Sequence, residues 1–118
     1  MTPFGARLRA LREARGVTLT ELAAALHVSP AYLSALEHGR RGRPSAGLIH
    51  QVNEYFGLIW DEAEELVQLA RLSHPRVVVD TSGLSPRATE LANLLARRIR
   101  ELPEERVEAI LRLLASSD

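Results

Sequence analysis

Residues 38–44 read HGRRGRP, three arginines set among two glycines and closed by a proline. A guanidinium is a planar fork that matches phosphate oxygens two at a time. Glycines let the main chain approach the same surface closely. Such a stretch suits the gripping of a polyanion; otherwise it is a solvated turn. Immediately ahead stand Ser29, Pro30, Ala31, Tyr32, Ser34 and Ala35, small residues around one large aromatic. Other chemistries find no support. His27, His38, His50 and His74 lack metal-ligand spacing, and there is no Cys, which excludes disulfides and thiolate sites. No Ser/His/Asp arrangement or phosphate-cradling glycine loop occurs, and the carboxylates of Asp61–Glu65 fall on an exposed helical face. No catalysis, cofactor or metal is expected.

The 118 residues suit one compact domain or a small domain with an appendage. Net charge is zero, but its distribution is uneven. Residues 1–58 hold seven Arg against four Glu, and residues 59–118 hold eight Arg against eleven acids, a split of +3 and −3. That asymmetry points the first half at a polyanion. No apolar run reaches the roughly 18 residues of a membrane span, and the N-terminus lacks the apolar core of a signal peptide. The expected setting is a reducing cytoplasm, with no membrane contact.

Helical punctuation is dense. Thr2–Pro3 can cap a first helix with the stripe Phe4, Leu8, Leu11, ended by Gly16. Thr18 with Glu21 forms a capping box that opens a second helix through about Leu26. Ser29 and Pro30 open a third, with Leu33 and Leu36 inward and Gly39 as its stop. Leu48, Ile49, Val52, Tyr55 and Phe56 mark a fourth, closed by Gly57, and a fifth, acidic helix covers roughly 60–72. Trp60 at its start is read as core. Val77, Val78 and Val79 are too few and too β-branched for a helix, which predicts a strand at 76–80. Ser85–Pro86 repeats the cap-plus-proline start, and Pro103 divides helices at 86–102 and 104–115.

The helices at 18–26 and 29–38 are joined by only His27 and Val28, and Ala23 sits where they would cross. A small residue there permits close, steep packing, the geometry that projects a second helix into a major groove. With Leu22, Leu26, Val28, Leu33 and Leu36 as its apolar positions, Glu37–His38–Gly39 as its ending, the basic loop to Pro44 and Phe56–Gly57–Leu58 after the fourth helix, the stretch 4–58 resembles the helix-turn-helix domain of phage Cro and CI repressors, the XRE family. His27 stands where that family usually has Gly, and His can adopt the left-handed turn at modest cost. Leu19 stands where many members carry a Gln that touches DNA, so that contact is absent.

The resemblance implies a five-helix, lambda-repressor-like DNA-binding domain over 1–72. It implies a base-reading face of Ser29, Pro30, Ala31, Tyr32, Ser34 and Ala35. It implies phosphate contacts from Arg12, Thr18, Thr20, His38, Arg40, Arg41 and Arg43, and an Arg12–Glu37 pair tying the first helix to the end of the third. Ala and Pro can meet thymine methyls and Ser several base edges. Tyr32 is expected to face out, toward a base or phosphate, with packing against its neighbours as the other reading.

Residues 73–118 carry no family signature. They are expected to form the strand and a helical hairpin on an otherwise all-α chain. The stripes Leu91, Leu95, Ile99, Leu102 and Val107, Ile110, Leu111, Leu114 exceed what one hairpin can bury on itself. With Val77–Val79 they predict a homodimer interface, or else a monomeric extension folded back on the fourth and fifth helices. The expected partner is double-stranded DNA, bound by a dimeric repressor on a palindromic operator. The alternatives are an antitoxin that binds its own operon and a protein toxin, and an adaptor that has lost DNA contact.

Overall fold

The computed structural model describes residues 1–40 and 43–116. Seven α-helices lie among them: α1 (Pro3–Ala14), α2 (Leu19–Leu26), α3 (Pro30–Glu37), α4 (Ala46–Phe56), α5 (Asp61–Arg71), α6 (Pro86–Arg98) and α7 (Glu104–Ala115). They divide into two compact units, Met1–Val77 and Val78–Asp118.

The first unit has a core. Phe4 and Leu8 of α1, Leu22, Ala23 and Leu26 of α2, Leu33 and Leu36 of α3, Val52 and Phe56 of α4, and Leu66 and Ala70 of α5 are buried together. Each of the first four helices starts on a hydroxyl that accepts a main-chain N–H from its first turn: Thr2 from Gly5, Thr18 from Glu21, Ser29 from Tyr32 and Ser45 from Leu48. These caps satisfy donors that the helix itself cannot. Arg15, just past α1, donates to the carbonyl of Phe56 and lies over its ring, tying α1 to the end of α4.

At Gly5, α1 lies close against the end of α3. A Cβ there would lie 2.5 Å from the Glu37 carbonyl oxygen, 2.7 Å from that of Leu36 and 2.8 Å from the Glu37 Cα. All three are backbone atoms, so no side chain can move aside. Gly5→Ala should therefore lower stability by about 2 kcal/mol, an overpacking cost near 3 partly offset by about 1 of helix propensity. Urea unfolding checks it; an alanine variant as stable as the parent would show that the helices separate without loss.

Two expectations fail in the first unit. Trp60 is not core: it is 84% exposed and occupies the position before α5 with φ 53°, ψ −123°. A large L-residue at positive φ is strained, on the order of 1–3 kcal/mol. The turn from α4 to α5 sets the backbone there, and it carries the indole outward. Tyr55, counted in the α4 stripe, is also exposed, with its ring edge-on to Phe56.

The predicted strand at 76–80 is absent: among the described residues no strand forms. Val77, Val78 and Val79 are extended in sequence preference but have no second segment to pair with, and Val78 is 97% exposed. A lone β-branched run cannot satisfy its own backbone. The segment leads into a turn in which Asp80 Oδ1 accepts the Ser82 N–H at 2.9 Å. Hydrogen bonding to Ser82, through its side chain and then its main chain, holds the Asp80 carboxyl below the usual carboxylate range.

In the second unit, Ser85 caps α6 and Pro86 occupies its first turn. The helix predicted to reach 102 stops at Arg98 and tightens into a 3-10 turn over Ile99–Glu101. Pro103 then opens α7. No described residue of this unit is buried. Leu95, Leu102, Val107 and Ile110 are half-buried, while Leu91, Ile99, Leu111 and Leu114 are exposed.

Candidate nucleic-acid interface

The two-helix unit is built by the caps at its joint. Thr18 and Glu21 exchange hydrogen bonds, Glu21 N–H to Thr18 Oγ1 at 3.1 Å and Thr18 N–H to Glu21 Oε1 at 3.3 Å, which fixes the start of α2. His27 ends α2 in the left-handed conformation, φ 58°, ψ 40°, as read from its place in the turn. The Val28 N–H then returns to the Ala23 carbonyl at 3.0 Å, and Ser29 Oγ starts α3. Two residues thus reverse the chain, with Ala23 fully buried between the helices.

Behind α3, Glu37 is 2% exposed and paired with Arg12. Arg12 Nε donates to Glu37 Oε2 at 3.1 Å and Nη2 to Oε1 at 3.3 Å, while Nη1 donates to the Val17 carbonyl at 3.2 Å. One guanidinium therefore locks the end of α3 to α1 and to the approach to α2. The fork has five N–H groups in all, so it can hold the carboxylate and still offer a proton to a phosphate.

Ser29, Pro30 and Ala31 are exposed, and Ser34 and Ala35 are half-buried. Tyr32 is half-buried like Ser34 and Ala35, packs against the core and lines a hollow with Leu26, Val28, Leu48 and Gln51.

Of the residues proposed to touch phosphate, Thr18, Thr20, His38, Arg40 and Arg43 are exposed. Thr18 accepts from Glu21 and keeps its hydroxyl proton to donate. His38 Nδ1 lies 2.8 Å from the Ser34 carbonyl oxygen, which can only accept; Nδ1 therefore carries the proton and Nε2 is left for another partner. Arg41 and Gly42 lie outside the described residues. Arg43 shares a groove with Ser45, Arg71 and His74 over a floor that includes Ile49 and Ala70, and no carboxylate lines it.

Arg71 and His74 were not singled out from sequence. They come from the end of α5, far along the chain from Arg43, and no local pattern announces that meeting. Ser45 could have been found, since it stands three residues before Leu48 just as Ser29 stands before Tyr32. Among the described residues no group of three His, Asp or Glu could hold a metal ion, and no helix is long and apolar enough to cross a membrane.

Residues 3–72 match the family model described as a helix-turn-helix domain, and the chain belongs to that family. The resemblance drawn from the turn and its flanking helices therefore holds at family level. The chain is 42% identical over 52 residues to the uncharacterized HTH-type transcriptional regulator RghRB of Bacillus subtilis (strain 168), spanning 44% of this chain and 37% of that one. It is 42% identical over 65 residues to the HTH-type transcriptional repressor RghR of the same organism, spanning 51% and 48%. The chain thus spans less than half the length of these curated relatives. A solved SinR protein/SinI protein complex aligns with a TM-score of 0.44 at 22% identity, covering 84% of this chain and 99% of that one.

Proposed function

We propose that the chain is a sequence-specific, DNA-binding transcriptional regulator that acts as a dimeric repressor on a palindromic operator. The observation that carries this is the braced joint: α2 and α3 fixed by paired caps, with the Glu37–Arg12 clamp behind α3 and arginines beside it. A recognition helix must hold its orientation to place small side chains against base edges. The match to a relative described as a repressor supports the sign of regulation. Ser29, Pro30, Ala31, Tyr32, Ser34 and Ala35 form the reading face. Arg12, Thr18, Thr20, His38, Arg40, Arg41 and Arg43 grip the backbone, joined by Arg71 and His74.

A face of small residues discriminates weakly at each base, which leaves more to DNA shape and to the spacing of two copies. The homodimer would be built from residues 76–115. A unit of about forty residues with none of its described residues buried rarely stands alone, and its exposed Leu91, Ile99 and Leu111 call for a cover. The same uncovered leucines favour a second reading, an antitoxin that presents them to a protein toxin; a small toxin-like reading frame beside the gene would distinguish it.

Phosphate gripping is tested by salt. Arg43→Ala should weaken binding to operator and random DNA alike and flatten the dependence of log K on log salt by about one unit. Fluorescence anisotropy on both DNAs over a salt series reads it. An unchanged slope would remove the loop from the backbone contacts.

A further inference from the structure

The exposed Trp60 has a matching surface elsewhere in the chain's own sequence. Its indole is 84% exposed, and Ile59 beside it is 63% exposed. The positive φ of Trp60 fixes the backbone in a turn that keeps the indole out. The first turn of α5 follows at once with Asp61, Glu62 and Glu64. The patch is therefore one aromatic anchor with carboxylates on one side. Glu64 accepts a hydrogen bond from Gln68, and Asp61 and Glu62 enter no ion pair among the described residues.

The second unit offers the converse. Leu91, Leu95, Leu102 and Ile110 line a groove of about 250 Å³ between α6 and α7 together with Arg98 and Arg106. That is the space of about eight water molecules at ~30 Å³ each, enough for an indole. Neither arginine enters an ion pair among the described residues. Apolar lining, two unpaired cations and sufficient volume complement the anchor in size and in sign. Buried aromatics in fitted pockets are the residues that dominate interface energies.

We infer that Trp60 of one copy seats in the α6–α7 groove of a second copy, with Asp61 and Glu62 facing Arg98 and Arg106, and that a two-fold axis repeats the contact. This assignment rests on the homodimer proposed above and adds to it a residue from the first unit. The reciprocal exchange gives a closed pair, because each copy contributes one anchor and one groove. It also joins the DNA-binding unit of one copy to its partner, which fixes the spacing of the two α3 helices more firmly than a contact through the second units alone.

Trp60 is the only tryptophan in the 118 residues, so its fluorescence reports on this site directly. Emission from the full chain should shift to shorter wavelength as concentration rises through the dimerisation range followed by light scattering. Trp60→Ala should raise the dimer dissociation constant about 30-fold, as for a hot-spot aromatic; the side chain is exposed in the single chain, so its removal leaves the fold intact. Asp61→Arg with Glu62→Arg should weaken the dimer, and adding Arg98→Glu with Arg106→Glu should restore it. A dimer whose emission equals that of the dilute chain overturns the Trp60 assignment and leaves the homodimer standing. Short-wavelength emission independent of concentration overturns it too, by showing that the chain covers its own indole. A monomer at every concentration overturns both.

Discussion

Arg12→Ala should cost the first unit about 3 kcal/mol of unfolding free energy. Removing one member of a buried ion pair costs ~3–5 kcal/mol, because the other charge stays desolvated and unpaired. The lower end applies: Glu37 is 2% exposed, but the Arg12 side chain keeps 16%, so water reaches part of the site after truncation. The Val17 carbonyl loses its donor as well. For a domain of this size the loss corresponds to a fall in Tm of roughly 10–20 °C. Arg12→Lys should recover only part of it, since an ammonium keeps the charge and loses the fork. Thermal and urea unfolding measure both variants. A loss under about 1 kcal/mol would place the pair with ordinary surface bridges, and the end of α3 would need another brace.

A chain ended at Val77 should bind operator roughly 10²–10⁴-fold more weakly than the full chain. Linking two modules makes the second binding event intramolecular, and avidity gains of that size follow without any new contact. The effect should be confined to operator affinity. The core from Phe4 to Ala70 lies wholly within the remaining unit, so unfolding should stay cooperative with little change in midpoint. Footprinting across the protein's own promoter supplies the operator, anisotropy gives the affinity, and light scattering gives the assembly state. Equal affinity, or a shortened chain that still dimerises, would move the interface out of residues 76–115.

The helix caps and apolar stripes were legible because they are local. Thr18 with Glu21, Ser29 with Pro30 and Ser85 with Pro86 each declare a helix start within four residues, and the structure has helices at those positions. His27 could be placed in the left-handed turn because the family it resembles usually has Gly there, and His adopts that conformation at modest cost. What was misread depends on contacts that sequence does not display. Val77–Val79 have the composition of a strand and nothing to pair with. Trp60 has the size of a core residue, yet the turn preceding α5 turns it out. At the candidate interface, the arginines of one loop were visible as a run, whereas Arg71 and His74 reach the groove lined by Arg43 only through the packing of α5 on α4. The Gly5 contact was invisible for the same reason: its partners are main-chain atoms of α3.

The Phe4 N–H donates to Ser73 Oγ at 2.9 Å across 69 positions of sequence, and Ser73 in turn donates to the Leu69 carbonyl at 2.6 Å. The first turn of α1 and the second residue after α5 are thus stitched together. A domain whose ends meet is a closed cassette. It can be rejoined end to end and reopened at an exposed turn, such as the one around Gly16, or carried as an insert within a loop of another protein, with its interior undisturbed.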